Sequence, residues 1–458
     1  MKVHFISIGG SVMHQLAIAL KRKGYIVTGT DDEIFEPAKS NLEKEGLLPA
    51  SIGWDVSMIT PDLDAVILGM HAKADNPELK KAQELGLKIY SFPEYIYQES
   101  INKKRVVIGG SHGKTTTTAM IMHVLKENNN AFDYMVGARL DGFDQSVNVT
   151  DAPVIIMEGD EYPASTLEKF PKFHFLFPHI AVITGIAWDH INVFPTFENY
   201  LEQFRIFIDK IETGGILIYN ETDSVLKELV ASHGRKDIRY QPYQLPAHGI
   251  ENGVTTITIE GIDERLKVFG NHNLLNLHAA YYVCKELGLT AQQFLNAIAS
   301  FTGAAKRLEL LATNNNTAVY RDFAHAPSKV KATIDAVKQQ YPDRKLIAVL
   351  ELHTYSSLNA QFMKEYNGAM NAADKAVVFY SQHALELKRM PQLLESEVQQ
   401  GFAKDGLIVI TDKNKLDEWL KAQDYQNTNL LLMSSGNYDG LPLNPLKEML
   451  GDANTIIA

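Results

Sequence analysis

The chain holds a single cysteine, Cys284, among 458 residues. One thiol cannot close an intramolecular disulfide, and a reducing cytoplasm is the expected location. No run of 18 apolar residues occurs, so no membrane-spanning helix is expected. The opening "MKVHFISIGG" carries too short an apolar run for a secretory signal. Positive charge is scarce: 44 Lys and Arg against 55 Asp and Glu leave a net charge of −11. A nucleic-acid interface needs a basic face, so this balance argues against one, while a local basic pocket for phosphates stays open. Sustained repeats, proline-rich runs and long blocks of like charge are also missing. What is present, 45% hydrophobic and 22% charged residues, is the composition of an ordinary globular protein long enough for about three domains.

Three segments divide the chain. In residues 1–103, "VHFISIGG" predicts a buried strand from Val3 to Ile8 and a glycine turn. A helix follows, with Val12, Met13, Leu16, Ala17 and Leu20 at helical spacing and Gly24 as its stop. "YIVTGTD", "DAVILGM" and "KIYSF" add strands, which predicts a parallel sheet of Rossmann type. The dinucleotide fingerprint is incomplete, because "GGSVMH" lacks the third glycine. Asp31 or Asp32 stands where such folds meet a ribose. Residues 104–302 offer strands at Val106–Ile108, Val154–Met157 and Ile180–Ile186, each ending in polar residues. Residues 303–458 contain four more strand patterns, in "TAVYRDF", "KLIAVLE", "KAVVFYS" and "NLLLMSS", and predict another α/β unit.

"GGSHGKTTTT", from Gly109 to Thr118, departs from the common phosphate loop G-x-x-x-x-G-K-[ST], which would need glycine where Ile108 stands. Gly110 and Gly113 still serve the turn, one glycine for each place where the backbone must take positive φ or approach an anion. The amides of the helix start, near Lys114, can then face phosphates. Lys114 can reach the β- and γ-phosphates and Thr115 can place its hydroxyl on Mg²⁺.

This shortened loop resembles the "GTHGKTTT" loop of the Mur ligases, ATP-dependent amide ligases of peptidoglycan precursor synthesis. Five further stretches resemble that family's motifs in the right order: "EGDEY" from Glu158, "AWDHINVF" from Ala187, "GNHNLLNLHAA" from Gly270, "KRLE" from Lys306 and "RDFAHAPSKV" from Arg321. The resemblance implies three α/β domains: a Rossmann-like UDP-binding domain at 1–103, a central P-loop ATPase domain at 104–302 and a C-terminal Rossmann-like domain at 303–458. It implies ATP and Mg²⁺, with Gly110, Ser111, His112, Gly113, Lys114, Thr115 and Thr116 around the phosphates, Asn276 by the adenine and Asp322 by the ribose. Thr115, Glu158 and His190 would contact metal, with His190 at a second ion. Arg307 would clamp the γ-phosphate when the third domain closes. Lys114, Glu158, His190 and Arg307 would thus carry the catalysis. Asp160 and Glu161 would lie in a second layer or orient the amine. His272, Asn273 and Asn276 open a helix, where asparagine often caps. "SIGGSVM" and "HAKADNPEL" resemble the family's UDP-sugar loops, which implies contacts from Gly9, Gly10, Asp31, His71 and Asn76.

The implied reaction joins the carboxylate of UDP-N-acetylmuramate to an amine through an acyl phosphate, releasing ADP and phosphate. Members that add L-alanine carry "QPHRYxR" late in the chain. Here "LELHTYSS" puts Thr354 and Ser357 where those members have arginines. The loss weakens recognition of a small amino acid, whereas a peptide can be held along its length. "EGDEYPASTLEKFPKFHF" resembles the members that add the tripeptide L-Ala–γ-D-Glu–meso-diaminopimelate. His325, His353 and Ser356 are the expected acceptor contacts, and Ala326 replaces the family's second histidine. The tripeptide is the favoured acceptor and L-alanine the alternative, with a monomer or homodimer expected. Folylpolyglutamate synthase shares the central loop but lacks the leading domain. A non-catalytic nucleotide-gated binder would have no need for Lys114, Thr115, Glu158, His190 and Arg307 together.

Overall fold

Continuous apolar runs, rather than alternating ones, become strands buried on both faces, the signature of parallel sheets covered by helices. The computed structural model describes every residue except 71, 138, 139, 141, 165–169, 189–192, 304–306 and 444–458. By its contacts the chain forms two units, Met1–Leu245 with Leu275–Ile298, and Pro246–Leu274 with Ala299–Ala458.

The first unit holds two sheets. β1 (Lys2–Ile6), β2 (Ile26–Thr30), β3 (Ala65–Leu68) and β4 (Ile89–Ser91) run parallel in the order β2-β1-β3-β4. α1 (Met13–Arg22), α2 (Ala38–Lys44), α3 (Pro77–Glu84) and α4 (Phe92–Ser100) connect or follow these strands. β1 is shorter than the sequence pattern suggests. Ser7 takes φ 68 and turns the chain, and the amides of Ser7 and Ile8 both donate to the Thr30 carbonyl at 3.0 Å. Gly24, at φ +96, follows the end of α1, as expected of a helix stop.

The larger sheet contains β5 (Lys104–Gly109), β6 (Asp133–Met135), β7 (Val147–Asn148), β8 (Val154–Glu158), β9 (Ile180–Ile183), β10 (Ile216–Asn220) and β11 (Arg239–Tyr243). Their order is β11-β10-β9-β5-β8-β6-β7, parallel except for β7. Helices α5 (Lys114–Glu127), α6 (Phe197–Asp209), α7 (Ser224–His233), α8 (Asn271–Glu286) and α9 (Ala291–Ile298) accompany it, α8 belonging to this unit from Leu275 onward. Strand order reverses at β5, which lies between β8 and β9. Register pairs Ile108 with Glu158 and Gly109 with Ile183. The loop after β5, the end of β8 and the turn after β9 therefore share one carboxyl edge, where open α/β sheets bind ligands.

The second unit opens with an antiparallel meander, β12 (Ala247–Glu251), β13 (Val254–Ile259) and β14 (Ile262–Leu266), which the sequence reading did not anticipate. Its main sheet comprises β15 (Glu309–Thr313), β16 (Ala318–Asp322), β17 (Lys345–Glu351), β18 (Lys375–Phe379), β19 (Ile408–Ile410) and β20 (Thr428–Met433), ordered β15-β16-β20-β17-β18-β19. The four expected strands are β16, β17, β18 and β20, and β15 pairs antiparallel at the edge. α10 (Pro327–Gln340), α11 (Gln382–Leu387) and α12 (Glu395–Phe402) pack on one face, through Val330, Ile334, Ala384 and Phe402. α13 (Lys413–Lys421) covers the other through Leu416 and Leu420. No helix among the described residues is long and apolar enough to cross a membrane.

Candidate active site

The loop between β5 and α5 is held from both sides. Gly113 sits at φ +83, and a Cβ there would lie 2.2 Å from Asn276 Oδ1. Gly110 sits at φ +125 against Thr184, whose hydroxyl donates to the His112 carbonyl. The Ser111 amide donates to the Gly185 carbonyl at 3.0 Å, and the Ser111 hydroxyl meets the Tyr200 hydroxyl at 2.8 Å while accepting from the Ala187 amide at 2.9 Å. The His112 ring stays beside its own loop, with Nδ1 2.7 Å from the Ser111 carbonyl. Threonines are mediocre helix formers, and α5 holds because Thr116, Thr117 and Thr118 are buried. Lys114, Thr115 and Thr116 form its first turn, whose amides lack partners inside the helix and favour an anion.

Three carboxylates and two ammonium groups surround this loop. Glu158, at the end of β8, accepts from the Thr115 hydroxyl at 2.8 Å and from the Gly137 amide at 2.9 Å. Lys114 reaches Glu161 Oε2 and the Gly110 carbonyl, each at 2.6 Å. Burial pushes the Lys114 ammonium down, but the Glu161, Glu158 and Asp160 charges outweigh it and hold its pKa above the usual lysine value. Asp160 pairs with Lys172 at 2.7 Å. Burial pushes the Asp160 carboxyl up, yet Lys172 and Lys114 leave it below the usual range. Lys172 arrives on an antiparallel excursion from β8: the Phe173 amide donates to the Asp160 carbonyl at 3.2 Å and the Lys172 amide to the Tyr162 carbonyl at 2.9 Å. No local sequence pattern pointed to this second cation, because its pairing spans twelve positions of chain. Thr115 and Glu158 offer oxygen atoms only, the donors Mg²⁺ takes, and Mg²⁺ commonly rests on one or two protein ligands plus phosphate and water. Among the described residues no three His, Cys, Asp or Glu side chains converge into a metal cluster, and a magnesium so held requires none. His190 lies outside the described residues.

The glycine turn after β1 is arranged differently. The Gly9 amide donates to Asp31 Oδ2 at 2.6 Å, and Gly10 packs on Met13. Burial raises the Asp31 pKa to about 6, against the opposing Gly9 hydrogen bond and with help from Asp32. Asn76 caps α3, its side-chain oxygen accepting from the Glu78 and Leu79 amides at 2.9 and 3.0 Å. His71 lies outside the described residues.

In the second unit, Asp322 ends β16, buried, and accepts from the Leu308 amide at 2.6 Å and the Ala324 amide at 2.7 Å. Burial raises its pKa, opposed by the Arg307 charge and these hydrogen bonds. The Arg307 guanidinium lies over the Phe323 ring at 4.8 Å, and that ring meets the His325 ring at 5.4 Å. Burial, then the Arg307 charge, lowers the His272 pKa to about 4, so the ring is neutral near pH 7. His325 Nδ1 lies 2.9 Å from the Phe323 carbonyl. Two strands away, Glu351 ends β17, buried, and accepts from the Ser434 hydroxyl and from the Tyr438 amide. His353 Nδ1 lies 3.9 Å from its other oxygen. Thr354 and Ser357 close on each other, the Thr354 amide donating to the Ser357 hydroxyl at 2.9 Å and the Ser357 amide to the Thr354 hydroxyl at 3.1 Å. Ser356 is exposed. Glu351 was not singled out from the sequence, although it ends an apolar run in the same way as Glu158.

Three segments match models of one family: residues 2–103 the Mur ligase family, catalytic domain, residues 108–284 the Mur ligase middle domain, and residues 306–436 the Mur ligase, glutamate ligase domain. The UDP-N-acetylmuramate–L-alanine ligase of Desulforamulus reducens is 30% identical over 453 residues, covering 96% of this chain and 95% of that one. The UDP-N-acetylmuramate–L-alanyl-γ-D-glutamyl-meso-2,6-diaminoheptandioate ligase of Haemophilus influenzae is 27% identical over 450 residues, covering 96% and 97%. The crystal structure of a UDP-N-acetylmuramate–alanine ligase from Thermotoga maritima has the same fold, with a TM-score of 0.68 at 21% identity over 98% of this chain and 99% of that one.

Proposed function

The chain belongs to the Mur ligase family, and from that premise we propose that it joins the carboxylate of UDP-N-acetylmuramate to the amine of L-Ala–γ-D-Glu–meso-diaminopimelate. The family assignment makes it an ATP-dependent, ADP-forming ligase of peptidoglycan synthesis.

In the proposed reaction a carboxylate oxygen attacks the γ-phosphorus and ADP leaves. The peptide amine then attacks the acyl carbon, loses a proton, and phosphate departs. Two anions must approach in the first step, so positioned cations supply most of the help. Lys114 and the first-turn amides of α5 would hold the phosphates, with Arg307 as the γ-phosphate clamp. Asn276 would sit by the adenine and Asp322 by the ribose. Thr115 and Glu158 would hold Mg²⁺, which when bound neutralises phosphate charge. Glu161 would exchange its bond to Lys114 when the triphosphate tail takes that ammonium. Gly9, Gly10, Asp31 and Asn76 would receive the UDP group.

The observation that carries the choice of acceptor is the Thr354–Ser357 turn. Two side chains that satisfy each other stand where alanine-adding members carry cations for the amino-acid carboxylate. L-Alanine is the second reading, favoured by the 30% identity to the alanine ligase against 27% to the tripeptide ligase. Phosphate release from ATP plus UDP-N-acetylmuramate, compared with L-alanine and with the tripeptide, decides between them. A higher kcat/KM for L-alanine would overturn the tripeptide assignment.

A further inference from the structure

The loop after β17 contains no lysine or arginine between Glu351 and Met363. A carboxylate recognised at this edge must find its cation elsewhere. β17 and β18 are parallel neighbours, with Glu351 level with Phe379, so the loops leaving them start side by side. The segment after β18 leads through the short helix α11 to Lys388 and Arg389. Lys388 Nζ lies 5.1 Å from the centroid of the Tyr355 ring, which belongs to the β17 loop. Tyr355 is 63% exposed, one of the most exposed large hydrophobic side chains of this unit. Among the described residues Lys388 pairs with no carboxylate, so its charge is unspent within the fold.

We propose that Tyr355 and Lys388 form the anchor for an acceptor carboxylate distal to the reacting amine. The inference rests on the tripeptide reading above and names the residues that recognise the peptide's far end. An aromatic face holds an ammonium electrostatically without neutralising it, so the pair presents an oriented positive charge. A carboxylate gives that charge a stronger partner than water does. Lys388 is carried by the segment after β18 and its charge lies at the β17 loop beside Tyr355. In the tripeptide the L-alanyl carboxyl is tied up in a peptide bond, so any free carboxylate that meets this charge is distal to the reacting amine.

The test is steady-state phosphate release by the full chain with three acceptors: the tripeptide, the tripeptide with its terminal carboxyls amidated, and L-alanine. Lys388→Ala should raise KM for the tripeptide roughly tenfold or more, as loss of a charge-assisted bond does. It should leave kcat and the KM values for ATP and UDP-N-acetylmuramate within about twofold. Wild type should discriminate against the amidated peptide and Lys388→Ala should not. Lys388→Arg should restore most of the affinity, and Tyr355→Leu should weaken it several-fold. If wild type uses the tripeptide but Lys388→Ala leaves its KM unchanged, or impairs acid and amide equally, the anchor is overturned while the tripeptide reading stands. If wild type releases no phosphate with the tripeptide, both fall.

Discussion

Two glycine turns in the first unit follow the same local recipe of apolar strand, glycine pair and helix, and they end in opposite chemistry. After β1, the Gly9 amide is taken by the chain's own carboxylate, Asp31, at 2.6 Å. After β5, the acids engage side chains of the helix start, Glu161 on Lys114 and Glu158 on Thr115. A turn whose amide already serves an acid offers a hydrogen-bond acceptor, suited to hydroxyl groups. A turn whose helix start points outward beside a lysine suits a polyanion. The glycine pair does not distinguish the two cases; what the acid one strand away bonds does, the Gly9 amide at the first turn and the Thr115 hydroxyl at the second.

The largest effect expected from that comparison is at Lys114. Lys114→Ala should cut turnover by about 10³-fold or more, since under the proposed function it removes the cation at the developing charge. It should also destabilise the fold, because it breaks the 2.6 Å ion pair that Lys114 makes with the buried Glu161 carboxylate. Breaking a buried pair costs about 3 kcal/mol. The double variant Lys114→Ala/Glu161→Gln should regain the melting temperature and none of the activity. Recovered activity in the double variant would mean that Lys114 serves Glu161 rather than phosphate.

Gly113→Ala should follow, with kcat/KM for ATP falling about 10²-fold. At φ +83 an alanine is strained by about 1–2 kcal/mol. Its Cβ would also collide with Asn276 Oδ1 at 2.2 Å. The KM for UDP-N-acetylmuramate should not change. A variant that loses affinity for both nucleotides equally would show that the two turns are not independent.

Much of this edge was legible in sequence because it is local. The strand ending at Gly109, the helix starting at Lys114 and the acid ending β8 are each marked by a few adjacent residues. The partners were not legible. Asn276 is 163 positions from Gly113, Lys172 pairs with Asp160 from twelve positions along the chain, and Asp31 meets Gly9 only because β1 and β2 pair. The meander at Ala247–Leu266 was also missed. β13 alternates buried and half-buried residues in "VTTITI", but its partner strands are polar and exposed enough to pass for loop.

The first turn should respond to pH where the second does not. Burial lifts the Asp31 pKa to about 6, above an unfolded value of about 4. The folded chain thus holds this proton more tightly than the unfolded one. Its contribution to stability is fully present below about pH 4 and is lost as pH rises to about 6. Binding of a hydroxyl donor has the opposite preference, because it needs the ionised carboxylate. The KM for UDP-N-acetylmuramate should therefore rise as pH falls below about 6, while the KM for ATP stays level through that range. Asp31→Asn should raise the UDP-sugar KM roughly tenfold at pH 7.5 and flatten the pH profile. A profile unchanged by Asp31→Asn would assign the titration to another group.

The smallest effect separates fold from recognition within that same turn's surroundings. Asn76 commits its side-chain oxygen to the start of α3. Any contact with a uridine then falls to its amide nitrogen. Asn76→Ala removes both functions and should cost about 1 kcal/mol of stability, the usual worth of a cap. Asn76→Asp keeps a capping oxygen and exchanges the donor for an acceptor. It should leave the melting temperature near that of wild type and raise the UDP-sugar KM roughly three- to fivefold. If Asn76→Asp matches wild type in both measurements, the residue is a cap alone, and recognition at the first turn narrows to Gly9, Gly10 and Asp31. That result would widen the contrast with the second turn, where Lys114, Thr115 and Asn276 all border the loop after β5.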